Sequence, residues 1–92
     1  MDIELQIELE ACNRAERAGW LTRKVSWQGR RGAPDRAFIG FGRFVLIEFK
    51  KPGEEPVGQQ LRELNRLKER YPEVYWTDNV AYALEILGVR GD

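Results

Sequence analysis

Two charges interrupt an apolar stretch in a way that could do chemistry. In Phe44-Val45-Leu46-Ile47-Glu48-Phe49-Lys50, strand alternation puts Phe44, Leu46, Glu48 and Lys50 on one face and Val45, Ile47 and Phe49 on the other. Charges there are costly unless something compensates them, since the strand reads as central and buried on both faces. The apolar run 35–39 precedes it, joined through Gly40-Phe41-Gly42-Arg43, a hairpin signal. Whether the loop is Phe41-Gly42 or all four residues, the register is the same: Ile39 faces Phe44, Ala37 faces Leu46, and Asp35 faces Glu48. Cβ atoms at such positions stand roughly 5 Å apart, where two carboxylates repel. A divalent cation between them removes that penalty, and oxygen ligands suit Mg²⁺ or Mn²⁺. Taken singly, an Asp after Pro is an ordinary turn residue, and Glu48 with Lys50 fits an edge-strand ion pair. The conjunction points to a metal site with an ammonium beside it.

Two further polar residues stand on faces that should pack. In the first helical stretch, Glu8 shares a face with Leu5, Ala11, Cys12 and Ala15, while Glu4, one turn earlier, competes for any role. In the second, Gln60 precedes Leu64, Leu67 and Tyr71 by four, seven and eleven residues, with Gln59 equally available.

The elements that must position these groups follow from spacing and punctuation. Helices are expected over 3–18, 59–70 and 80–87, stopped by Gly19, Pro72 and Gly88. The second should turn Leu61, Leu64 and Leu67 inward and Arg62, Glu63, Arg66 and Glu69 outward. Strands are expected over 20–27, 35–39, 44–50 and 74–77, with loops at 28–34 and 51–58 marked by Gly and Pro. The order α-β-β-β-α-β-α describes an α/β fold, a small mixed sheet flanked by helices. Ninety-two residues, 42% hydrophobic and 33% charged, suffice for one domain, 1–92, with a small core.

Composition excludes several chemistries. The sequence has no histidine and a single cysteine, Cys12, which reads as core filler. Ser-His-Asp and Cys-His catalysis, Cys/His zinc sites and internal disulfides are therefore impossible in this chain. No apolar run is long enough to span a bilayer and the acidic N-terminus is unlike a signal peptide, so the expectation is a soluble, cytoplasmic protein with no membrane partner. A net charge of zero conceals segments 1–13, 14–51 and 52–92 with charges of −4, +7 and −3. The basic middle segment is the part suited to a polyanion.

Gly32-Ala33-Pro34-Asp35, then Glu48-Phe49-Lys50, then Pro52-Gly53 and Gln60, resembles the PD-(D/E)xK nuclease signature, and more narrowly the virus-type replication-repair nuclease (VRR-NUC) family. The resemblance covers nearly the whole chain and implies a restriction-endonuclease-like core. Gly19, eleven residues after Glu8, is similar to the first helix of Holliday-junction resolvases and favours Glu8 over Glu4. Lys51 departs from the pattern, many relatives having a smaller residue there. The resemblance implies hydrolysis of DNA phosphodiesters with Mg²⁺ or Mn²⁺ as cofactor. Asp35, Glu48 and the Phe49 carbonyl would be metal ligands, with Glu8 binding directly or through water. Lys50 would position or activate the attacking water, and Gln60 would orient Lys50 or the water. Arg23, Lys24, Arg30, Arg31, Arg36, Arg43 and Lys51 would carry the phosphate backbone without reading sequence. Stand-alone members are similar to junction-resolving enzymes, so the expected substrate is branched double-stranded DNA and the expected state a homodimer. Trp27, Trp76 and Tyr75 are candidates for an exposed dimer surface. A restriction-like or flap endonuclease or exonuclease, or a non-catalytic DNA-binding module, are the alternatives.

Overall fold

A computed structural model describes residues 2–29 and 33–90. Helix α1 (Ile3–Arg17) starts where the Asp2 side chain accepts from Glu4 N at 2.9 Å, and the chain leaves it through Gly19 at φ +109°. Strands β1 (Leu21–Lys24), β2 (Arg36–Gly40) and β3 (Arg43–Phe49) form an antiparallel meander. Helix α2 (Gln59–Arg70) then crosses to β4 (Val74–Thr77), which pairs parallel to β3, and α3 (Val80–Leu87) closes the chain. Asn79 caps α3 by accepting from Tyr82 N at 2.7 Å. The sheet order is β1-β2-β3-β4, so β3 is central and Glu48 does not lie on an edge strand. Among the described residues no helix is long and apolar enough to cross a membrane.

The hairpin turn is Phe41-Gly42. Both residues have positive φ, 52° and 74°, which matches the twist of the strands they join. A positive φ is unusual for phenylalanine, and the Phe41 ring is held edge-on against Trp20 at 5.2 Å between centroids.

Each sheet face carries its own core. On one, α1 and α3 pack through Ile7, Ala11, Cys12, Ala15, Ala83 and Leu87 onto Phe38, Val45, Ile47 and Phe49. On the other, α2 packs through Leu64 onto Ala37, Leu46 and Val74, with Leu67, Tyr71, Val25, Trp27 and Trp76 partly buried around them. The even positions of β3 therefore look toward α2 and the odd ones toward α1.

Several expectations shift. Strand β1 stops at Lys24, and Val25 to Trp27 lie in the following loop, although Val25 N still donates to Asp35 O at 2.9 Å. The packing stripe of α1 begins at Ile7, two residues later than expected, and leaves Leu5 exposed. On α2, Leu61 is exposed and Glu63 is buried, because the helix rests on the sheet along Gln60, Glu63, Leu64 and Leu67 and not on its leucines alone. Trp27, Trp76 and Tyr75 are not free surface residues: Trp27 and Trp76 lie against the α2-side core and Tyr75 against the other. Trp27 Nε1 also donates to Pro34 O. Three of the exposed apolar side chains, Leu21, Ile39 and Phe44, are paired across three strands on the α2 side beyond the helix's cover.

Candidate active site

The hairpin register brings the two acids together. Ile39 pairs with Phe44, Ala37 with Leu46, and Arg36 with Ile47, so Asp35, one residue before β2, stands beside Glu48. Glu48 feels both its burial and this neighbour. Burial first, and then the charge of Asp35, push its carboxyl up to about 7 from an ordinary 4.5, against the opposing pull of Lys50.

Lys50 lies just past β3 on the same face as Glu48. Its backbone N donates to Thr77 O at 2.9 Å, which extends the β3–β4 pairing by one residue and fixes where the side chain starts. The ammonium is buried, 3.8 Å from Glu48 Oε2 and 2.5 Å from Gln60 Oε1. Gln60, in the first turn of α2, is thereby distinguished from Gln59, which is exposed. The 51–58 loop between these elements is tied down where Gly53 N donates to the Asp78 carboxylate at 2.8 Å. Nothing in the sequence pattern singled out Asp78, since a loop-tethering carboxylate has no periodic signal.

Glu8 approaches from the other side. It is buried on α1, where Arg36 grips Oε2 with Nε at 2.9 Å and Nη2 at 2.6 Å, and Lys24 Nζ lies 3.3 Å away. Lys24 also reaches Asp35 Oδ2 at 3.3 Å, so an ion-pair chain runs from α1 through β1 to the first acid. Glu4 is half-buried and its charge couples to Lys50, whereas Glu8 has direct cationic partners in Arg36 and Lys24. Beside Asp35 lies an open depression of about 440 Å³ lined by Lys24, Val25, Ser26, Trp27, Ala33 and Asp35.

No family sequence model matches the chain. It is 38% identical over 65 residues to a protein of Acyrthosiphon pisum secondary endosymbiont phage 1 named "Putative nuclease p44", the match covering 70% of each chain. A solved structure described as a VRR_NUC domain superposes with a TM-score of 0.82 at 29% identity, covering 96% of this chain and 97% of that one. The chain belongs to the VRR_NUC family. VRR_NUC proteins are nucleases of the PD-(D/E)xK kind.

In this VRR_NUC domain the donor set fits a hard cation. Asp35, Glu48 and the Phe49 carbonyl are all oxygen donors, and the charge of Asp35 felt at Glu48 is one that a bound cation would relieve. Glu8 Oε2 is already held by Arg36 and Lys24. Among the described residues no group of three His, Cys, Asp or Glu side chains is placed to hold a metal ion. Glu8 is on α1 and taken by Arg36, and its charge still reaches Glu48, behind those of Asp35, Lys50 and Glu4. Mg²⁺ is commonly held by one or two carboxylates, with waters and substrate phosphates filling its remaining positions, so two acids are enough.

Two of the arginines expected on DNA have other partners in the VRR_NUC domain. Arg36 is turned inward onto Glu8; strand alternation from Asp35 puts it on the α1 side, a signal that the sequence did carry. Arg43 bonds Glu73 at 2.6 and 3.1 Å and the Ile86 carbonyl at 3.0 Å. It lies at the turn end of β3, roughly 17 Å from Glu48 at about 3.3 Å per strand residue. Arg23 and Lys51 are exposed, and Lys24 is largely so. Arg30 and Arg31 lie outside the described residues.

Proposed function

We propose that the chain is a metal-dependent, structure-specific DNA endonuclease acting on branched double-stranded DNA, with Holliday-junction resolution by a homodimer as its reaction. The reading rests on one observation: Asp35 and Glu48 meet across the hairpin, beside a buried ammonium that Gln60 holds at 2.5 Å. Residues 1–92 act as one nuclease domain.

Asp35, Glu48 and the Phe49 carbonyl would hold Mg²⁺ or Mn²⁺. Such an ion, when bound, polarises the scissile phosphate and lowers the pKa of a bound water. Lys50, held in place by Gln60 and by its backbone bond to Thr77, positions the attacking water and offsets charge building on the phosphate oxygens. Glu8 acts indirectly, its grip on Arg36 setting the peptide that follows Asp35. Arg23, Lys24 and Lys51, with Arg30 and Arg31, contact the phosphate backbone. Such contacts position DNA without reading sequence, so recognition is of shape. A four-way junction is two-fold symmetric and needs two matched nicks, which a symmetric dimer supplies.

The test incubates the chain with a four-way junction, a flap and linear duplex, with Mg²⁺, Mn²⁺ or a chelator. Paired symmetric nicks in the junction, only with metal, are expected. Preference for the flap, or equal cutting of all three, overturns junction specificity; no cleavage under either metal leaves a DNA-binding module. Light scattering on the same sample should give twice the 10.7 kDa of the chain.

A further inference from the structure

Lys24 ends β1 directly opposite Arg36. Its ammonium stands between two carboxylates, 3.3 Å from Glu8 Oε2 and 3.3 Å from Asp35 Oδ2. The two acids depend on it unequally. Glu8 is buried and already holds the Arg36 guanidinium through two hydrogen bonds. The Asp35 side chain is 48% exposed, and among the described residues Lys24 is the one cation in ion-pair contact with it. The Lys24 side chain is itself 59% exposed, on a flexible four-carbon stem, so it can leave Asp35 without opening the core.

We propose that Lys24 is a resident counter-cation for Asp35 that a divalent ion displaces, so that ion binding and release of Lys24 toward a DNA phosphate are coupled. The inference rests on the reading of Asp35 and Glu48 as a metal site. An ammonium and a doubly charged ion on one carboxylate repel each other, so one must yield. Lys24 yields to the depression that it lines with Val25, Ser26, Trp27 and Ala33, where an incoming phosphate would meet it. The arrangement weakens ion binding to the free protein and keeps a cation in reserve for DNA. Coupling of this kind is reciprocal: the ion favours the phosphate contact of Lys24, and that contact favours the ion.

Mn²⁺ binding to the full chain without DNA, read from the electron paramagnetic resonance signal of free Mn²⁺, tests the inference apart from cleavage. Lys24→Met should bind Mn²⁺ about three- to tenfold tighter than the native chain, the scale of losing one exposed ion pair and one repulsion. Lys24→Arg should stay within about twofold, the charge being kept, and Asp35→Asn should lose binding on either background. Lys24→Gln repeats the measurement should the methionine variant misfold. Equal or weaker binding by both neutral variants overturns the role of Lys24 while leaving the metal site standing. A native chain that binds no better than Asp35→Asn overturns the metal site, and the inference with it.

Discussion

Lys50 Nζ donates to Gln60 Oε1 at 2.5 Å, a bond that joins the end of the central strand to the first turn of the helix crossing from it. Lys50→Ala should therefore lower cleavage by about 10³-fold, the cost of deleting a group aimed at developing charge. Gln60→Ala, which only frees the ammonium, should cost about 10- to 100-fold, in line with other supporting contacts. Gln59→Ala should behave as the native chain. Junction binding in Ca²⁺, followed by gel shift, should be retained in all three; a parallel loss of binding and cutting would make Lys50 a structural residue.

Glu48 provides a pH signature. Its carboxyl is raised to about 7 in the fold from an ordinary 4.5, so the folded chain holds this proton more tightly than the unfolded one. A raised acid favours folding most below its unfolded pKa and loses that contribution as pH climbs through the folded value. Without metal, thermal stability should fall between about pH 4.5 and 7, and Glu48→Gln should flatten that fall. Carbon-13 NMR of the carboxyl should show a midpoint near 7 without metal and a lower one with Mg²⁺. A midpoint near 4.5 in the metal-free chain would contradict both the burial and the pairing with Asp35.

Arg36 and Glu8 form a buried pair, and breaking one side of such a pair is expensive. Arg36→Ala should destabilise by about 3–5 kcal/mol. At about 4–8 °C per kcal/mol for a domain of this size, that is a fall in Tm of about 12 °C or more. Lys24→Ala removes an exposed partner of the same carboxylate and should cost about 1 kcal/mol or less. The double variant Glu8→Leu, Arg36→Met leaves no unpaired charge and should melt higher than Arg36→Ala alone. Calorimetry on the three variants checks the order.

The basic residues should separate into two groups by salt dependence. Arg23→Ala and Lys51→Ala should weaken DNA binding uniformly across sequences, each reducing the slope of log K against log salt by about 1, with little change in Tm. Arg43→Ala should leave that slope unchanged and lower stability, since its guanidinium is bonded to Glu73 and Ile86 and lies 5.5 Å from the Trp20 ring centre. A salt slope that drops for Arg43→Ala would return it to the DNA surface.

What could be read from the sequence is what depends on period and turn chemistry. Alternation along residues 44–50, with a two-residue turn before it, was enough to set the register and so to put Asp35 beside Glu48, because a slip by one residue would turn every side chain to the wrong face. Helical spacing similarly placed Gln60 on the stripe of Leu64 and Leu67, and put Glu8 on the packing side of its helix. These are local relations, and local geometry determines them.

Which of Gln59 and Gln60 meets Lys50, the capture of Glu8 by Arg36, the burial of Glu63 and the half-buried state of Trp27 and Trp76 were decided only when α1 and α2 came to rest on opposite faces of the sheet. A charged side chain finds its partner through space, and among fifteen cations and fifteen anions in this chain nothing in their order says which will meet. Packing selects them: once α1 buries Glu8, leaving it unpaired would cost several kcal/mol, and strand alternation holds Arg36, with Lys24 opposite it, on that side. The acids of the site follow from the sequence; the cations that surround them follow from the fold.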